Sequence, residues 1–139
     1  MAATVSDVMT RDPETIEADE PVLEAARRMR DADSGDVIVL DNGRVVGILT
    51  DRDIAVRVVA EGKDSSTPVR QVCSTTDLQT VGPDTSLAQA VQLMRGNAVR
   101  RLPVVENDHA VGILSLGDLA MVLDENSALA DISAAAPNN

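Results

Sequence analysis

One eight-residue stretch occurs twice in this chain. Gly47-Ile48-Leu49-Thr50-Asp51-Arg52-Asp53-Ile54 returns as Gly112-Ile113-Leu114-Ser115-Leu116-Gly117-Asp118-Leu119. Both copies read glycine, two aliphatics, a hydroxyl residue, two variable positions, aspartate and an aliphatic. Gly47 to Gly112 and Asp53 to Asp118 are the same 65-residue step. Each copy closes a short apolar run and opens a helical pattern. It therefore sits at a strand-to-helix corner, where a Thr or Ser and an Asp can face one ligand together. The 139 residues leave each half about 60, a marginal size for independent stability. The two halves are therefore expected to pack face to face as one globule with approximate twofold symmetry.

The rest of the chain repeats around that stretch. Val5-Ser6-Asp7-Val8-Met9 predicts a short helical turn with Ser6 or Asp7 near its start. Its partner is Val69-Arg70-Gln71-Val72-Cys73, one residue out of step with the later elements. Glu14-Thr15-Ile16 and Gln79-Thr80-Val81 are matched short strands. Pro21 suits the first position of a helix, where its missing N–H is no loss, and Asp19 and Asp84 place negative charge near helix starts. The helix from about Pro21 to Ala32 carries Val22, Ala25, Ala26 and Met29 on one face. Its copy carries Leu87, Ala90, Val91 and Met94. A buried stripe assigns Met29 and Met94 to the core.

Val37-Ile38-Val39-Leu40 reads as a buried strand, Asp41-Asn42-Gly43 as a hairpin turn, and Val45-Val46-Gly47-Ile48-Leu49 as the returning strand. Leu102-Pro103-Val104-Val105, Glu106-Asn107-Asp108 and Ala110-Val111-Gly112-Ile113-Leu114 repeat this, with Pro103 implying an edge or strand-start position. Helices are expected from about Asp51 to Glu61 and from about Leu116 to Leu123. The reading is an α+β fold of two β-α-β-β-α repeats, 5–61 and 69–123, joined by a polar linker, 62–68. The tail, 124–139, is expected to be partly disordered, with a weak helical turn from Ser127 to Ile132 and disorder from Ala134 to Asn139.

Composition narrows the function. The chain has no Phe, Trp or Tyr, so any flat ligand must be held by aliphatic side chains and backbone. A net charge of −11 argues against nucleic acid, which requires cations on phosphates. Cys73 is the only cysteine, so no internal disulfide forms, as in a reducing compartment. No signal peptide is read in Met1 to Asp12, and no apolar run approaches the roughly 18 residues of a membrane span. These features point to the cytoplasm and away from a membrane. Nor does the sequence suggest an enzyme. His109 is the only histidine and follows Asn107-Asp108 in an exposed hairpin turn, and Cys73 matches Met9 as a packing residue. Asp51-x-Asp53 supplies too few oxygens for a hard cation, so no resident metal or cofactor is expected.

The doubled Gly-aliphatic-aliphatic-Thr/Ser-x-x-Asp pattern, with Arg101-Leu102-Pro103-Val104-Val105 and a preceding helix ending in Met and Arg, resembles a CBS (cystathionine-β-synthase) domain pair, also called a Bateman module. The resemblance spans residues 5 to 123. The Thr50-Asp51-Arg52-Asp53 form is similar to small stand-alone bacterial CBS proteins of the hypoxic-response type. It implies a cleft between two sheets with two related sites for an adenosine compound: AMP, ADP, ATP or S-adenosylmethionine, with Mg²⁺ only where it arrives with a nucleotide. Asp53 and Thr50 would serve one site, and Asp118 and Ser115 the other, each Asp accepting from ribose hydroxyls. A helix N-terminus beside it offers free N–H groups to phosphate. Backbone near Val37, Ile38, Leu102 and Pro103, and near Thr15, Ile16, Thr80 and Val81, would read the adenine. Gly47 and Gly112 would permit a close approach of backbone or ligand.

The two halves differ in charge. Arg52 lies inside the first motif where the second has Gly117. Arg100 and Arg101 enter the second half's strand where the first has Gly35 and Asp36. The expectation is one strong site, with Arg52, Arg100 or Arg101 on the phosphates and Asp36 repelling them. For Asp53 and Asp118 a helix N-cap is the competing role, and for the arginines a solvated ion pair. The resemblance also implies a homodimer through exposed apolar helix positions such as Val56, Val59, Met121 and Val122, and an unidentified protein regulated in trans. The alternative is a ligand-free dimeric scaffold for stress or interaction. In that case the Asp and Thr/Ser side chains would be bonded internally and Asp36 would fill the phosphate end.

Overall fold

A computed structural model describes residues 3–75 and 78–122 of the chain. Leu123 as a helix end, the turn at Ser127 to Ile132 and the disorder from Ala134 lie outside the described residues. The strands are β1 (Thr10–Arg11), β2 (Thr15–Glu17), β3 (Asp36–Asp41), β4 (Arg44–Thr50), β5 (Arg101–Glu106) and β6 (His109–Ser115). They form two three-stranded sheets, ordered β2-β3-β4 and β1-β6-β5. Each hairpin turns through left-handed residues, Asn42 and Gly43 in the first and Asn107 and Asp108 in the second, as tight two-residue turns require. His109 opens β6 and is exposed beside that turn.

The helices follow the repeat with local differences. Helix α1 (Val22–Ala32) buries Val22, Ala25 and Met29. Pro21 is its N-cap, one position earlier than expected, and has no side-chain acceptor to offer. Carbonyls of the polar connection replace that cap: Val22 N–H donates to Thr67 O at 2.8 Å and Leu23 N–H to Ser65 O at 3.1 Å. The 62–68 stretch is thus folded against the first repeat. Asp19, three residues before α1, is paired with Arg70 at 2.8 Å. Helix α2 begins at Asp51–Asp53 and continues as a π-helical stretch, Ile54–Val59, rather than as one regular helix. Helix α3 (Leu87–Asn97) is capped by Ser86, whose Oγ accepts from Gln89 N–H at 3.1 Å. A further helix begins after β6 and runs through 116–122.

The second copy of β2 is reduced to a single bridge, Val81 with Val104. The cause is Pro103. In the first half Ile38 N–H donates to Glu14 O at 2.9 Å. Pro103 occupies the matching position and has no N–H to give. The two bonds that remain run from Val81 N–H to Pro103 O and from Val105 N–H to Val81 O.

The repeats exchange their opening segments. The turn Val5–Asp7 has Thr4 as its N-cap residue and Ser6 and Asp7 within it; Thr4 N–H donates to Asp7 Oδ2 at 2.9 Å, and β1 follows. Val5 and Met9 are packed with Val81, Ala90, Met94, Leu102, Val104 and Leu114 of the second half. Val69, Val72 and Cys73 are packed with Ile16, Val22, Met29, Val37 and Leu49 of the first. β1 pairs antiparallel with β6, and Ser74 bridges Ile48 in the matching place on β4. Gly47 and Gly112 make room for these segments. A Cβ at Gly47 would lie 2.8 Å from Ser74 O, and one at Gly112 would lie 2.9 Å from Thr10 O. Their close approach is therefore to backbone. A third cluster, Ile38, Ile48 and Ile113, with Leu40, Val45, Leu78 and Ala110 against it, lies between the sheets.

Candidate functional site

Both motifs adopt one local geometry, dictated by their residue types. A hydroxyl residue ends the strand and caps the helix, and the Asp three residues on reaches back. Thr50 N–H donates to Asp53 Oδ2 at 3.0 Å, and Asp53 N–H donates to Thr50 Oγ1 at 3.1 Å. In the second copy Ser115 N–H donates to Asp118 Oδ2 at 3.1 Å, and Asp118 N–H to Ser115 Oγ at 3.0 Å. These are reciprocal capping boxes. The N-cap is the Thr or Ser, not the Asp. Each box occupies one carboxylate oxygen. Among the described residues Asp53 Oδ1 has only a 3.8 Å ion pair to Arg57. Asp118 Oδ1 has no partner among the described residues.

Three adjoining cavities share Arg100 and Arg101. One of about 230 Å³ is lined by Ile48, Thr50, Asp53, Ser74 and Val99 as well. A second, of about 530 Å³, lies over Thr50, Asp51 and Arg52. The third, of about 500 Å³, lies over Ser115, Leu116 and Gly117. Combined, this space suits a small molecule of nucleotide size. The arginines expected to belong to the second motif therefore stand at the mouth of both. The reason is topological. Arg101 pairs with Ser115 along its own sheet, while its guanidinium crosses to Asp36 of the other sheet at 2.7 Å.

That ion pair joins matching positions of the two repeats, the first residues of β3 and β5. Its side chains are 16% exposed for Asp36 and 34% for Arg101. Burial raises the Asp36 carboxyl above its ordinary value, and Arg101 and Ser34 oppose the shift without cancelling it. Gly35 lets the tips close in: a Cβ there would lie 3.1 Å from Asp51 Oδ2 and 3.4 Å from Arg101 Nη2. Arg52 and Arg100 have no side-chain partner among the described residues.

The first cleft has a counterpart on Ile113, the equivalent of Ile48. This cavity of about 160 Å³ is lined by Thr10, Asp12, Glu14, Ser34 and Asp36, among others. Thr10 takes the place of Ser74, Ser34 that of Val99 and Asp36 that of Arg101. The two clefts therefore share a place in the fold but not a lining: Ser115 and Asp118 do not line the counterpart as Thr50 and Asp53 line the first, and the charges differ.

The structure does not bring the remaining candidates into these cavities as side chains. Ile16 and Val37 lie in the first core, and Val81 and Leu102 in the second. Ile38 lies between the sheets, and Pro103 is fully buried. Thr15 offers its carbonyl to Arg28, and Thr80 is exposed. Ser74, Val99, Asp12 and Glu14 line cavities and were not anticipated. The one-residue slip between the opening turns and the later elements was the signal for Ser74, since it aligns Ser74 with Thr10. Cys73 is buried, and that burial pushes its thiol up, as for an unreactive packing residue.

Comparison with known proteins decides the family. The CBS domain model matches twice, at residues 5–60 and 69–125. The chain belongs to the CBS domain family. CBS domain-containing protein YhcV of Bacillus subtilis is 42% identical, over 94% of this chain and 96% of its own. Hypoxic response protein 1 of Mycobacterium tuberculosis is 30% identical over 89% of this chain and 87% of its own. A crystal structure of that hypoxic response protein, holding two coordinated zinc ions, superposes with a TM-score of 0.76 at 30% identity, covering 86% of this chain and 98% of its own. The CBS domain pair of MJ0100, solved with 5′-methylthioadenosine and S-adenosyl-L-methionine, has a TM-score of 0.82 at 22% identity and shares the fold, covering 91% of this chain and 99% of its own. CBS pairs are regulatory modules, and the resemblance read from the doubled motif is thereby established. Among the described residues no group of three His, Cys, Asp or Glu is placed to hold a metal, and no helix is long and apolar enough to cross a membrane.

Proposed function

We propose that this CBS pair is a cytoplasmic sensor that binds an adenosine-containing ligand in the cleft at Thr50 and Asp53. It would act in trans on a separate protein. The observation that carries this reading is the convergence of both repeats on one cavity. The first supplies a helix N-terminus and a carboxylate with an oxygen to spare, and the second supplies Arg100 and Arg101. A carboxylate with one oxygen committed to a cap still accepts from a ribose hydroxyl through the other. Ile48 and Val99 provide aliphatic walls for a purine. A ligand touching both repeats favours one arrangement of them by its differential affinity, which is what a sensor needs. Val56 and Val59 on one helix and Met121 on another, 48%, 71% and 64% exposed, offer apolar positions for homodimer formation.

The alternative is a ligand-free dimeric scaffold, favoured by two observations: both capping boxes are closed, and Asp36 holds Arg101. Thermal unfolding of nucleotide-stripped protein with AMP, ADP, ATP or S-adenosylmethionine separates the two. A ligand at 100 times its dissociation constant stabilises the fold by about 2.7 kcal/mol. The sensor reading expects such a shift in the wild type and in Asp118→Ala, and its loss in Asp53→Ala. No shift with any of the four compounds supports the scaffold.

A further inference from the structure

We propose that the Thr50–Asp53 cleft selects its adenosine compound by charge, admitting one that carries a phosphate and seating that phosphate by handing Arg101 over from Asp36. The inference rests on the adenosine reading above and names the ligand class within it. In a chain of net charge −11, three guanidiniums meet at one cavity, those of Arg52, Arg100 and Arg101. Three carboxylates stand with them, Asp36, Asp51 and Asp53. Asp36 is committed to Arg101 at 2.7 Å, and Asp53 to its cap and to Arg57. Arg52 and Arg100 are left without a carboxylate among the described residues, on the same cavity as a helix N-terminus.

The counterpart cleft sharpens the contrast. Its lining holds Asp12, Glu14 and Asp36 and no cation. An anion entering there meets three carboxylates. At the first cleft an anion meets two unpaired arginines and a third it can recruit. Asp36 is a strained holder of that third arginine, because burial already disfavours its charge. A phosphate that takes Arg101 leaves Asp36 without its counter-charge, and the half-buried carboxyl takes up a proton from solvent as the guanidinium leaves, a protonation that burial already favours. The pair also ties β3 of one repeat to β5 of the other. Its release is a change at the seam between repeats that an uncharged ligand does not bring about.

The test compares dissociation constants for AMP, adenosine and S-adenosylmethionine on the full-length, nucleotide-stripped chain, wild type beside Asp36→Asn and Arg100→Ala. Both substitutions are small or exposed changes that leave the two cores intact. AMP is expected to bind at least about tenfold more tightly than adenosine, as for charge-assisted bonds to a phosphate. Asp36→Asn removes the competitor and is expected to tighten AMP roughly 3- to 10-fold, leaving adenosine within about twofold. Arg100→Ala is expected to weaken AMP by a similar factor, and to weaken it more than adenosine. If adenosine or S-adenosylmethionine binds as tightly as AMP, or if Asp36→Asn fails to tighten AMP, this inference is overturned while the adenosine reading stands. Absence of binding by all three compounds, and by ADP and ATP beside them, overturns both.

Discussion

Gly112 has no room for a side chain. A Cβ there would meet Met9 Sδ at 2.6 Å and the Thr10 carbonyl at 2.9 Å. The sulfur can move, but the carbonyl belongs to the β1–β6 ladder and cannot. Gly112→Ala is therefore expected to destabilise the protein by about 1–3 kcal/mol in chemical denaturation, as overpacking does. At the end of α3 the opposite holds. Gly96 lies in the helix with open space around its Cα, while Ala98 is held in the left-handed region at φ 53°. The double change Gly96→Ala and Ala98→Gly puts each residue where its backbone is favoured and is expected to add about 1 kcal/mol. Asp36 has a pH signature. Its folded value lies above the ordinary 3.8, so the folded state holds its proton more tightly than the unfolded chain. The resulting penalty is complete above the raised value and vanishes as pH falls to the ordinary one. The wild type should gain on Asp36→Asn as pH is lowered from 7 to about 4, read as the difference in their unfolding midpoints; a constant difference contradicts the assignment. The doubled motif made the two strand-to-helix corners legible, Thr50 with Asp53 and Ser115 with Asp118. The reach of Arg101 to Asp36 was not, because it depends on how two sheets meet.

The elements show where propensity alone was sufficient and where it was overruled. Apolar runs and turn residues located β3 to β6 and α1 closely. The second copy of β2 failed to form as a strand for a reason visible in the chain: Pro103 lacks the donor that Ile38 supplies. Pro103→Val restores an N–H opposite Gln79 and is expected to slow amide exchange across residues 79–81, measured by hydrogen–deuterium exchange; unchanged protection would mean that the missing bond does not limit this edge. β1 escaped the sequence reading because two residues, Thr10 and Arg11, carry no periodicity. The π-helical stretch Ile54–Val59 escaped it because a five-residue hydrogen-bond step leaves no distinct pattern over six residues.

At the scale of the whole molecule the exchanged segments govern stability. Val5 is fully buried in the second repeat's core and Val69 in the first. Full burial of such a side chain contributes about 1.5–3 kcal/mol, a large share of the margin of a unit of about 60 residues. The meeting of the two sheets places a helix N-terminus from one repeat against arginines from the other, so the cavity exists only in the assembled pair. Calorimetric titration of AMP into nucleotide-stripped protein tests that claim directly. The account predicts one saturable site per chain, present in Asp118→Ala and abolished in Asp53→Ala. Two equal sites per chain, or no heat on a folded protein, would contradict it.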